Sequence, residues 1–148
     1  MSSISEDVIV TASKWGAETF IPNYFRFMDS NRQETLKLYK DWTSIVWNGQ
    51  KYGAQQYSQI LQSLPPTTHD VESIDVQPIE TTLSLSSPNL LVIVTGSVTY
   101  NNDNSTKRLF TQNFVIFSEQ QGYFIASDNF RWIAPCTSRK KNVNMNKR

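Results

Sequence analysis

Between Leu90 and Tyr100 nearly every residue is apolar or β-branched, Leu-Leu-Val-Ile-Val-Thr-Gly-Ser-Val-Thr-Tyr. A strand with one face in water alternates polar with apolar, so a run without alternation reads as a strand covered on both faces. This stretch commits the second half of the chain to a sheet with something packed on each side. Asn101-Asn102-Asp103-Asn104 after it is a turn, because short amide side chains tolerate positive φ. Lys107 to Ser118 is a long strand, Gln120-Gln121-Gly122 a second turn, and the segment to Ile133 the closing strand.

The closing strand has a period of two. Phe124, Ala126, Phe130 and Trp132 share one face with Asp128, and Tyr123, Ile125, Ser127, Asn129, Arg131 and Ile133 share the other. The first set suits a core apart from Asp128. The second mixes polar and apolar residues around one cation, and reads as a face that meets another protein.

The first half is mostly helical. Val8, Ala12, Trp15, Ile21, Tyr24, Phe25 and Met28 follow helical spacing, with Pro22 predicting a kink or break. Asp29-Ser30-Asn31 ends that helix. Ser30 with Gln33, or Asn31 with Glu34, offers a capping box for a short helix burying Leu36, Tyr39 and Trp42. Thr43 to Trp47 is a strand closed by the hairpin pair Asn48-Gly49. Gly53 ends the hairpin, Tyr57, Ile60, Leu61 and Leu64 mark a third helix, and Pro65-Pro66 stops it. Thr67 to Pro78 is extended, and its apolar residues change face between Val71 and Ile74, which predicts a bulge or strong bend. Glu80 to Asn89 reads as a loop. The order predicts an α+β fold, with helices on one side of a strongly bent antiparallel sheet.

Charge divides the chain. All thirteen acidic residues precede Pro135 against nine Lys and Arg, and Arg139, Lys140, Lys141, Lys147 and Arg148 follow it with no acid. The expected organisation is one domain over residues 1–134 and a basic, disordered tail over 135–148. An acidic body is a poor nucleic-acid surface, so any RNA contact belongs to the tail or is indirect. No apolar run approaches a membrane span, and Met-Ser-Ser-Ile-Ser-Glu-Asp does not read as a signal segment. Cys136 is the only cysteine, so no internal disulfide forms, which suits a reducing compartment.

Catalytic chemistry is thinly represented. His69 is the only histidine and, with a single thiol, a zinc site is out of reach. No phosphate loop or nucleophile elbow is present. The one enzymatic candidate is Asp128 in an apolar pocket, with Tyr24 or Tyr39 as donors; a carboxylate held by backbone amides or a nearby hydroxyl is the simpler expectation. Trp47, Phe110, Phe114 and Trp132 at strand spacing suit a core better than an RNA-stacking platform.

Tyr24-Phe25, Met28-Asp29, Arg32, Leu38-Tyr39, Val46-Trp47-Asn48-Gly49, Leu64-Pro65, Asp75-Val-Gln-Pro78, Gln112-Asn113-Phe114 and Ala126-Ser-Asp-x-Phe-Arg131 occur in one order and spacing. Over roughly Thr19 to Ile133 the chain resembles the nuclear transport factor 2 family, and within it the branch of small subunits of the mRNA export receptor. The resemblance implies a cone of three helices against a bent sheet, no catalysis and no cofactor. It implies a heterodimer with the related domain of a large export receptor, sheet face to sheet face. It further implies Phe-Gly nucleoporin binding through the heterodimer, and shuttling between nucleus and cytoplasm.

In that branch the Arg of Phe-Arg pairs with an acid of the large subunit, which matches Arg131. Asn129, Ile93, Thr95 and Asn113 are expected beside it on the same face. The family's other main branch, homodimeric carriers of GDP-bound Ran, places acids after the hairpin Trp and in the loop after the apolar strand. Here those positions hold Asn48 and, apart from Asp103, Asn101, Asn102 and Asn104. A small-molecule enzyme using the cone pocket is the remaining alternative, on analogy of fold alone.

Overall fold

The computed structural model describes residues 6–79, 88–119 and 122–133. The expected loop around Glu80, the turn residues Gln120 and Gln121, and the basic tail with Cys136 lie outside them.

The first helical run is continuous but changes pitch. α1 (Glu6–Trp15) leads through a π-helical turn at Gly16–Phe20 into α2 (Ile21–Ser30), where Pro22 sits in the first turn. Proline has no N–H to donate and crowds the carbonyl one turn back. The wider turn takes up this misfit, with Ile21 N–H reaching Gly16 O. The expected break is therefore a π-bulge rather than a gap.

α3 (Arg32–Leu36) is a single turn, and the expected capping box does not form. Ser30 Oγ instead donates to Arg26 O at 2.6 Å, and Glu34 pairs with Lys37 at 2.6 Å. Tyr39 and Trp42 fall on strand β1 (Tyr39–Trp47), not on this helix. α4 (Ala54–Ser63) follows the hairpin, starts at Gly53 and buries Tyr57 and Leu61.

Six strands form one sheet, ordered β2-β1-β6-β5-β4-β3, with β2 at Gln50–Tyr52, β3 at Thr67–Ile79, β4 at Asn89–Tyr100, β5 at Asp103–Glu119 and β6 at Gly122–Ile133. The sheet is mixed: β1 runs parallel to β6, and every other neighbouring pair is antiparallel. Alternation within a strand cannot reveal this pairing, which joins segments some eighty residues apart. It puts the last strand inside the sheet rather than at its edge.

Two expected turns have the backbone their residues suggest. Asn48 and Gly49 have φ of 51° and 83°, and Asn101 and Asn102 have 55° and 57°. The face change in β3 is a bulge, since Val71 pairs with Gly96 and Ser73 with Thr95, leaving Glu72 as the extra residue. β3 presses against β4 there so closely that a Cβ on Gly96 would lie 2.2 Å from Asp70 O.

A second bulge was not legible in the sequence. Val115 pairs with Ser127 and Ile116 with Ile125, so Ala126 is the extra residue of β6. The alternation changes phase at Ala126. Asp128, Phe130 and Trp132 point to the helices as expected, but before the bulge it is Tyr123 and Ile125 that do so. Tyr123 stacks on Trp15 at 4.1 Å and Ile125 is fully buried, while Phe124 turns to the opposite side. Helices and inner sheet face enclose Ile21, Tyr24, Phe25, Leu90, Val92, Val94, Phe110, Phe114 and Phe130. Phe110, Phe114, Trp47 and Trp132 thus belong to or pack against the core and form no stacking platform.

Candidate partner interface on the outer sheet face

No helix of the described residues covers the outer face of the sheet. Pairing registers lay its side chains out in cross-strand rows. One row runs Val46, Asn129, Asn113, Ile93, Asp75, and the next Arg131, Thr111, Thr95, Ser73. Arg131, Asn129, Asn113, Ile93 and Thr95, which come from three strands, thus occupy two adjacent rows.

This face is unusually apolar for one in water. Among the described residues six large hydrophobics are exposed, and five of them, Trp42, Ile93, Leu109, Phe117 and Ile133, lie on it; the sixth, Val10, is on α1. Leu90, Val92, Val94 and Val98 of β4 point into the core, while Leu91 and Ile93 point outward. Among the described residues, therefore, only one side of the two-sided apolar run is covered. Asn113 Oδ1 in the middle is buried without a hydrogen-bond partner.

Arg131 is fixed by the β1–β2 hairpin. Asn48 N–H donates to Phe130 O at 2.8 Å, and Asn48 Oδ1 accepts from Trp132 N–H at 2.8 Å. The two bonds bracket Arg131, and a Cβ on Gly49 would come within 3.2 Å of its guanidinium. Trp-Asn-Gly and Phe-Arg-Trp, far apart in sequence, are one structural unit.

The inner face holds Asp128, the enzymatic candidate. Asp128 is 1% exposed and sits where α2, α4, β1 and β5 meet. Tyr39 Oη donates to its Oδ2 at 2.5 Å, Gln112 Nε2 to its Oδ1 at 2.9 Å, and the Tyr24 and Tyr39 hydroxyls lie 2.6 Å apart. Hydroxyls and an amide, not backbone N–H groups, hold the carboxylate. Burial pushes its pKa up to about 6, against the pull of hydrogen bonds from Tyr39, Gln112 and Tyr57. Burial and the Asp128 charge raise the pKa of Tyr24, Tyr39 and Tyr57 well above that of an ordinary phenol, so they stay protonated as donors. Tyr24 and Tyr39 are the donors named from the sequence, whereas nothing there links Tyr57 or Gln112 to Asp128, because these come from α4 and β5.

A cavity of about 30 Å³ bordered by Tyr57, Gln112 and Phe130 lies nearby, room for one or two waters. His69 is structural, with its Nδ1 2.6 Å from Asp29 Oδ1 and its ring against Phe25 and Phe110.

The chain matches the nuclear transport factor 2 (NTF2) domain family over residues 16–132. It is 33% identical to an NTF2-related export protein of Caenorhabditis elegans over 119 residues, 79% of this chain and 85% of that one. It is 30% identical to nuclear transport factor 2 of Oryza sativa subsp. japonica over 118 residues, 78% and 92% of the two chains. Its fold is similar to that in the C. albicans Mtr2–Mex67 M domain complex, with a TM-score of 0.63, 19% identity, and 81% and 94% of the chains covered. The chain belongs to the nuclear transport factor 2 family.

Proposed function

We propose that this member of the family is a non-catalytic small subunit that docks its outer sheet face on the related domain of a large mRNA export receptor. The observation that carries this reading is the concentration of exposed apolar side chains on one uncovered sheet face around Arg131. A monomer gains nothing from such a face, whereas a partner sheet would bury it. Arg131 supplies direction: a guanidinium that meets a carboxylate across a desolvated contact rejects partners lacking one.

The C. elegans NTF2-related export protein and the Mtr2–Mex67 M domain complex support the export branch. Identity does not separate it from the import carriers, since the rice relative is nearly as similar. Local chemistry supports the export branch: Asn48 is an amide engaged with β6, and Asp103 is the single carboxylate among Asn101, Asn102 and Asn104 where the carriers place several acids. In this reading the heterodimer engages Phe-Gly nucleoporins and shuttles between nucleus and cytoplasm, and any RNA contact is indirect or through the basic tail.

Expression alone and together with the large subunit tests the proposal. Co-purification at the mass of a one-to-one complex is expected. A stable homodimer with no affinity for the receptor would refute it.

A further inference from the structure

The outer face carries a feature at its far end that the five expected contact residues do not include. The Ala126 bulge turns Phe124 outward, where it meets Trp42 of β1 edge-on at 5.2 Å and Phe117 of β5 at 5.8 Å. Trp42 and Phe117 are themselves 6.4 Å apart, and Lys40 Nζ lies 5.4 Å from the Phe124 ring centre. Trp42 is 59% exposed, the largest exposure among large hydrophobics of the described residues. Bulges re-aim side chains, and this one seats the Phe124 ring, itself only 7% exposed, beneath the exposed rings of Trp42 and Phe117 on the outer face.

We propose that Trp42, Phe117 and Phe124 form an aromatic anchor for an aliphatic side chain of the same partner domain. The inference rests on the interface reading above, and continuity names the occupant. Phe117 follows Asn113 and Val115 on one face of β5, and Phe124 precedes Ser127 and Asn129 across the bulge on β6. Four strand residues span about 13 Å. An interface of ordinary size takes about 800 Å² per partner, a patch of roughly 16 Å radius. Centred on Asn113 and Asn129, such a patch reaches Phe117. Buried aromatics of this kind carry a disproportionate share of binding energy.

The test uses the full chain and the related domain of the large receptor subunit from the same genome. Trp42 is the one exposed tryptophan among the four, so complex formation should shift the protein's emission to the blue, and Trp42→Phe should abolish most of that shift. Trp42→Ala and Phe117→Ala should each weaken binding about tenfold or more, through faster dissociation, with an unchanged circular dichroism spectrum. Full affinity in both variants, while Arg131→Glu still weakens binding about thirtyfold or more, overturns the anchor and leaves the interface standing. Full affinity in Arg131→Glu overturns the interface and the anchor with it. The emission readout on the unmodified chain decides the matter even if a variant fails to fold. No shift on binding refutes the anchor, and a shift that follows protein concentration without the partner assigns it to self-association instead.

Discussion

Asn48 Oδ1 accepts the backbone N–H of Trp132 at 2.8 Å, while its own N–H reaches Phe130 O at the same distance. One turn residue thereby extends the parallel β1–β6 pairing past the end of β1 and holds the backbone on both sides of Arg131. Asn48→Ala removes the acceptor from a partly buried N–H and puts a Cβ without local hydrogen bonding at positive φ. The expected loss is about 1–3 kcal/mol in urea unfolding. Partner affinity should fall as well, and Asn48→Asp, which keeps an acceptor, should recover most of both.

Asp128 sets a pH dependence of stability. Its carboxyl titrates near 3.8 in the unfolded chain and at about 6 in the fold. Between those values the folded state binds more protons, so stability falls as pH rises through the window and levels off above it. The full difference is about 3 kcal/mol. Unfolding free energies of the natural chain and Asp128→Asn between pH 4 and pH 7 should converge toward the acid end and diverge by an amount of this order toward neutrality. Parallel curves would mean that Asp128 is not the titrating group.

Arg32 caps a helix from outside it. Its Nη1 donates to Leu61 O and Leu64 O, both at 2.7 Å, and its Nη2 to Pro65 O, so one guanidinium ties the last turn of α4 to the two residues that leave it. Arg32→Ala should cost about 2 kcal/mol, read as a lower unfolding midpoint. Arg32→Lys should recover little, because an ammonium cannot span three carbonyls in one plane.

The sequence was most legible where one residue type decides the backbone. Asn48-Gly49 and Asn101-Asn102 adopt positive φ because short amides and glycine permit it, and Pro22 disturbs its helix for want of an N–H. The β3 bulge was visible because Val71 and Ile74 break the alternation. The Ala126 bulge was hidden because both Phe124 and Ile125 are apolar, so the pattern fits either phase. The parallel β1–β6 pair and the approach of Tyr57 and Gln112 to Asp128 depend on tertiary packing and left no local signal, whereas Tyr24 and Tyr39 could be named as donors from the sequence. The proposed interface was legible in the mixed outer face of the closing strand around Arg131, and Leu90 to Tyr100 adds to it: that run is apolar on both sides, and the described residues cover only one of them.

Arg131 is the place to test the central claim. The affinity of the full chain for the related domain of the large receptor subunit, measured by titration calorimetry, should fall by about 2–5 kcal/mol in Arg131→Glu. That is a loss of roughly thirtyfold to several thousandfold, with the circular dichroism spectrum and unfolding midpoint unchanged. An unaltered dissociation constant in a folded Arg131→Glu protein would contradict the assignment of the outer sheet face as the docking surface.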